Sequence, residues 1–88
     1  MKTGVIIYVT GITSKNFDEI EAVKHLKIDA DKVEFVFSGE EHGFTIWDAW
    51  WKMKMTVKGM RRIICMAAEA IGSSQIQLTG RELQLCAY

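Results

Sequence analysis

The 88-residue sequence predicts one α/β domain, spanning 1–88, built on a small parallel sheet. A chain of this length matches a single domain, and it contains no proline, repeat or low-complexity stretch that would mark a linker. The apolar run from Gly4 to Thr10 lacks polar alternation, which is typical of a strand covered on both faces. Strand and helix patterns then alternate as a βαβαβ core, which favours right-handed crossovers with helices on the sheet faces.

The first half of the chain predicts one strand, one short helix and a second strand. Gly11 ends the first strand, and Asn16 is placed to cap a helix with Glu19 at the capping-box position. Apolar residues then recur at helical spacing, at Phe17, Ile20, Val23 and Leu26. Alternation over 32–37 predicts the second strand, and the glycine-flanked, charged segment 38–44 predicts a loop.

The second half predicts a long helix and a third strand. Thr45 and Asp48 form a helix start, Gly72 is a stop, and the helix between them runs to about Ile71 with a bend or break at Gly59. Alternation over 74–79 predicts the third strand, whereas 80–88 fits either a hairpin strand or a short helical turn.

Three faces of the predicted long helix have different compositions. One apolar stripe is expected to pack on the sheet: Ile46, Trp50, Met53, Val57, Met60, Ile64 and Ile71. A second face combines tryptophans with cations, at Trp47, Trp51, Lys54, Lys58, Arg61, Arg62 and Cys65. It fits either a strip that stacks bases and binds phosphates or a Trp pair buried between subunits. The third face is a surplus apolar one, at Met55, Gly59, Ile63, Met66 and Ala70.

The composition favours self-association and gives no overall sign of an anionic partner. Hydrophobic residues make up 49% of a small chain, so a homo-oligomer, whether dimer, trimer or larger, is one way to cover them. We expect Trp47, Trp51, Met55, Gly59 and Met66 to form its interface. The 11 basic and 11 acidic residues balance, which argues against nucleic acid and anionic membranes as partners. The N-terminus lacks a signal-peptide pattern and is too short to span a membrane, so we expect a cytoplasmic protein.

Candidate chemistry is sparse. The loop after the first strand offers Ser14, Lys15 and Asn16 as ligands for a small anion at a helix start, and His42 in the next loop is a possible acid or base. No dinucleotide or nucleoside triphosphate motif is present and neither histidine has a second ligand at useful spacing, so we expect no cofactor and no metal.

The two cysteines lie far apart in sequence, which argues against a disulfide framework and fits a reducing cytosol. Cys65 would be reactive if Arg61 and Arg62 lowered the pKa of its thiol, and Cys86 has no charged neighbour. For each cysteine, a small apolar packing residue is the ordinary interpretation.

Several pieces together resemble the DsrE-like family of small sulfur-relay proteins. They are VTG at 9–11, DKVEFVFSG at 31–39 before a Trp-rich helix, and AIG at 70–72 before a strand, so the resemblance covers roughly 4–83. It implies a flavodoxin-like three-layer fold, dimers, trimers or larger rings, a cytoplasmic location and, in active members, a cysteine that carries persulfide sulfur. That cysteine position corresponds here to the vicinity of Thr79, which cannot carry a persulfide, and Cys86 is a weak substitute.

The sequence therefore leaves three functions open. The first is an accessory, non-catalytic DsrE-like oligomer with a sulfur-relay protein as partner. The second is a persulfide carrier that uses Cys86 or Cys65. The third is a nucleotide or nucleic-acid binding module that uses Lys54, Lys58, Arg61 and Arg62.

Overall fold

The computed structural model describes residues 2–39, 46–56 and 60–82. The elements, in chain order, are β1 (Lys2–Thr10), a 3-10 turn (Ser14–Asn16), α1 (Glu19–Leu26), β2 (Lys32–Phe37), α2 (Ile46–Thr56), β3 (Met60–Ala70) and β4 (Ile76–Glu82).

Four strands form one sheet in the order β2-β1-β3-β4. β1 pairs in parallel with both β2 and β3, so the predicted α/β class is confirmed. The predicted third strand is β4, and its expected parallel pairing is wrong because β4 runs antiparallel to β3. The link 71–75 is too short for a parallel crossover, and it is closed by a hydrogen bond from the Ile71 amide to the Gln75 carbonyl at 3.0 Å.

Alternate residues of β1 enter two hydrophobic clusters on opposite faces of the sheet. Val5, Ile7 and Val9 pack with Phe35 and Phe37 on the side covered by α1. Ile6 packs with Val36 and Cys65 beneath the buried residues of α2, which are Ile46, Ala49 and Met53. The two clusters give the described domain its three layers of helix, sheet and helix.

α2 lies unusually close to the sheet at Gly4. A Cβ atom placed on Gly4 would collide with the Met53 sulfur and lie 3.2 Å from its Cγ. Met53 is fully buried, so its side chain would have to take another conformation among packed neighbours. Glycine at the start of the central strand is therefore what allows this helix to pack directly on β1.

The predicted long helix is wrong beyond Thr56, because Met60–Ala70 is a strand that pairs with β1. A strand covered on both faces is apolar on consecutive residues, so it satisfies helical spacing by chance. Of the predicted surplus apolar face, Met66 packs in the cluster on the α1 side and Ile63 in the cluster on the α2 side. They do not share a surface with Met55, and Gly59 lies outside the described residues.

Candidate functional site

The loops that follow β1 and β3 meet at the carboxyl edge of the sheet. From β1 the chain passes through α1 to β2 on one side, whereas β3 lies on the other side of β1. Open α/β sheets bind ligands at such a change of direction. Gly11 turns the chain out of β1 with a φ of 90°, a conformation that favours glycine. The Asp18 amide then donates to the Ser73 carbonyl at 2.6 Å, which ties the two loops together.

An open cleft of about 560 Å³ lies between these loops. It is lined by Lys15, Asn16, Phe17, Asp18, Glu19, Ile20 and Ser73. The sequence predicted Lys15 and Asn16 here, and both line the cleft. Ser14 lies in the same 3-10 turn but does not line the cleft, and His42 is outside the described residues.

Phe17 holds the base of the first loop in the core. Its ring centroid lies 5.6 Å from that of Phe35 and 5.5 Å from that of Phe37, in a tilted and an edge-on arrangement. Such geometry is favourable for aromatic pairs. The cleft wall therefore continues directly into the cluster that packs between the sheet and α1.

Two carboxylates and one cation set the charge of the cleft. The Asp18 carboxylate caps α1 by accepting a hydrogen bond from the Glu21 amide at 3.1 Å, so Asp18 and not the predicted Asn16 is the N-cap. Partial burial, together with repulsion from Glu34, raises the pKa of the Glu19 carboxyl, although attraction to Lys52 opposes this shift. Lys15 is exposed and makes no ion pair with the described residues.

The lining of the cleft offers polar and charged groups to a ligand. No histidine or cysteine is among the residues that line the cleft. Sequence reasoning missed Asp18, Glu19 and Ser73 as cleft residues. The spacing of Asp18 and Glu21 is a capping-box signal that could have identified the cap, whereas Ser73 reaches the cleft only through the pairing of β3 with β1.

A second feature is an exposed apolar line along α2, which we call the Trp stripe: Trp47, Trp51 and Met55, at positions i, i+4 and i+8. Their side chains are 38%, 58% and 75% exposed, respectively. Half-buried Trp50 supports the stripe, since its ring centroid lies 6.3 Å from that of Trp47 and 5.2 Å from that of Trp51. Three of the predicted interface residues therefore share one exposed helix face.

The predicted strip of tryptophans and cations is not one surface. Lys54 remains beside the tryptophans, with its Nζ 4.5 Å from the centroid of the Trp50 ring. Arg61 and Arg62 lie at the start of β3 instead, and Lys58 is outside the described residues. The prediction of a single strip is wrong because it required α2 to continue past Thr56.

Cys65 is 1% exposed and disulfide-bonded, so its thiol is not free. The prediction against a disulfide is wrong at this residue, because separation along the sequence does not measure distance in the fold. Cys86, the other cysteine of the sequence, lies outside the described residues. Thr79, at the expected place of a sulfur-carrying cysteine, donates from its hydroxyl to the Ala67 carbonyl at 3.1 Å.

Within 2–39, 46–56 and 60–82, no group of three potential metal-ligating side chains is assembled. Neither described helix is long and apolar enough to cross a membrane. No protein-family model, curated protein or solved structure matches the chain.

Proposed function

We propose that the chain is a small DsrE-like accessory protein that acts by binding proteins, first of all a second copy of itself, and is not a catalyst. The Trp stripe is the observation that carries this proposal. The cleft supports it, since its lining offers polar contacts without a histidine or cysteine, and a sulfur-relay protein is the further partner. The order β2-β1-β3, with helices on both faces, supports a flavodoxin-like assignment.

The exposed area of the stripe supports a weak dimer, because it falls short of the roughly 1,000 Å² that a stable, specific interface buries. Aromatic side chains bury roughly 150–250 Å² each, so the exposed fractions of Trp47, Trp51 and Met55 correspond to about 300 Å². Pairing two copies would remove about 600 Å² of apolar surface from water, a gain of ~15 kcal/mol at ~25 cal/mol per Å². Association costs about 4–15 kcal/mol, so a dimer of modest affinity is the expected result.

The spacing of the stripe favours a second copy as its partner. Trp47 and Met55 lie one helical turn before and one turn after Trp51, so the stripe is symmetric in position about its centre. In an antiparallel pair of α2 helices related by a two-fold axis, Trp51 meets its own copy and Trp47 meets Met55 of the partner. Such self-complementary contacts are the rule in symmetric dimers.

Sedimentation velocity over a range of protein concentrations tests this proposal. Trp51→Ser should weaken the dimer by at least about 30-fold, since a central tryptophan contributes about 2 kcal/mol or more to an interface and both copies lose it. Ile71→Ser is the control, because Ile71 is an apolar, 60% exposed residue outside both the Trp stripe and the cleft lining, and its dimer should be unchanged. Circular dichroism of both variants checks that they fold.

Two results would contradict the proposal. A wild-type protein that sediments as a monomer at high concentration removes the dimer. Persulfide loading on Cys65 or Cys86 after incubation with a sulfur donor, detected by intact mass, would assign sulfur carriage instead. Because Cys65 is buried and disulfide-bonded, a carrier role would require reduction first.

A further inference from the structure

Positive charge is concentrated at the amino edge of the sheet, which is the edge at which the parallel strands begin and which lies opposite the cleft. This concentration is not visible in the sequence. β1, β2 and β3 are parallel and start at this edge, and α1 and α2 run back from the other edge and end here. Six cations thereby reach one end of the domain: Lys2, Lys27, Lys32, Lys54, Arg61 and Arg62. They come from five different elements or their ends, between 2 and 62 in the sequence.

Few negative charges balance the amino edge. Among the described residues the link from α1 to β2 contributes two carboxylates, Asp29 and Asp31, which leaves a local excess of four positive charges from six cations and two anions. Asp31 already accepts a hydrogen bond from the Thr3 amide at 2.7 Å. In the described part of the chain, the ion pairs are those of Lys24 with Glu21 and Lys52 with Glu34, so none of the six cations takes part in one.

Helix dipoles explain only part of this cluster. Lys27 follows α1 and Lys54 lies in the last turn of α2, where positive charge stabilises a helix. Lys2, Lys32, Arg61 and Arg62 lie on strands, which have little net dipole. The strand register keeps these four close, since Thr3 is opposite Arg62 and Gly4 is opposite Lys32.

We infer that the amino edge binds the phosphate backbone of a single nucleic acid strand. Lys32 and Arg61 flank β1 on its two neighbouring strands, so their backbones lie about 10 Å apart at ~4.8 Å per strand. That distance spans about three nucleotides of a stacked strand at ~3.4 Å each. Arginine also binds phosphate through two parallel hydrogen bonds.

Carboxylates at the other end of the domain favour binding of a polyanion at the amino edge. Asp18, Glu19 and Glu69 lie at the carboxyl edge, where Lys15 is the cation of the described loops. A polyanion is therefore attracted to one end of the domain and repelled from the other, although the chain as a whole is neutral. The inference does not depend on the Trp stripe, so the Trp51→Ser variant should bind as the wild type does.

Fluorescence anisotropy with a labelled oligothymidine tests the inference. Lys54 is left out of the count because its Nζ lies over the Trp50 ring. Phosphate contacts from the other five cations give a slope of about −3.5 in log affinity against log salt. The affinity should therefore fall about 100-fold between 50 and 200 mM salt. Arg61→Gln with Arg62→Gln should lower the magnitude of the slope by about 1.4. Lys2→Gln with Lys32→Gln should lower it equally, which guards against misfolding of one variant. Lys15→Gln, at the carboxyl edge, should leave the slope unchanged, whereas the single change Arg61→Gln should lower its magnitude by about 0.7.

Several outcomes would overturn the inference. They are an absence of binding at low salt, a binding affinity insensitive to salt, or an equal loss in Lys15→Gln and Arg61→Gln. The protein could also self-associate without the oligonucleotide, in a salt-sensitive way that the Arg61 and Arg62 changes abolish. That result would show that the amino edge binds the carboxyl edge of a second copy. Tighter binding to duplex of the same sequence would refute the single-stranded ligand.

Discussion

Gly4→Ala should destabilise the domain although alanine is normally tolerated in strands. The added methyl group collides with the sulfur of Met53, lies 3.2 Å from its Cγ and 3.4 Å from its Cε, and Met53 is fully buried. Overpacking of this kind costs about 1–3 kcal/mol, and the lower entropy of the unfolded chain returns about 0.4–1 kcal/mol. We expect a net loss of about 1–2 kcal/mol in the free energy of unfolding.

Urea denaturation followed by tryptophan fluorescence measures this loss, because Trp50 packs against the same cluster as Met53. Met53→Ala alone should cost about 2–5 kcal/mol. The double variant should cost less than the sum of the two by about 1–2 kcal/mol, since the smaller side chain makes room for the methyl group. Gly72→Ala is the control. Its new methyl group would meet nothing closer than the Gln75 Cβ at 3.9 Å, so stability should change by no more than about 0.5 kcal/mol. Additive costs, or a Gly4→Ala variant as stable as the wild type, would refute the close packing of α2 on β1.

Two further predictions concern the cleft. Asp18→Ala removes the cap of α1 and should lower the free energy of unfolding, measured by urea denaturation, by about 1 kcal/mol. Asp29→Ala, in an exposed link, is the control and should leave this free energy unchanged. Equal losses in the two variants would exclude capping as the cause. Glu19 has a raised pKa in the folded state, so its contribution to stability is fully present below its ordinary pKa of 4.5 and is lost as the pH rises through the folded value. Glu19→Gln should therefore gain stability relative to the wild type with rising pH, as measured by urea denaturation at several pH values, and a constant difference would count against the shift.

The sequence predicts the first half of the fold well because each strand there is a short run that ends close to a glycine, at Gly11 and Gly39. The run over 4–10 and the alternation over 32–37 became β1 and β2, and the helical spacing around Val23 became α1. The region 60–70 was wrongly predicted as helix because both faces of β3 are covered. Ile64 and Cys65 are therefore apolar neighbours in the sequence that face different clusters. Tertiary pairing with β1, which sequence periodicity does not report, decides that this segment is a strand.

The candidate site was only partly predictable for a related reason. Lys15 and Asn16 follow β1 directly, so their place in the cleft depends on one strand end. Ser73 and the six cations of the amino edge are brought together by strand order and register, and no local pattern encodes these. The balanced charge of the whole chain concealed a separation of charge that depends on the parallel sheet.

The place of Phe17 sets how fast the cleft can change shape. Surface loops commonly rearrange in nanoseconds to microseconds, but this loop carries a buried ring packed against Phe35 and Phe37. Opening its base would require the aromatic cluster to separate, which is a rearrangement of the core. The cleft is therefore preorganised, and a ligand that fits it would lose little affinity to the ordering of the loop.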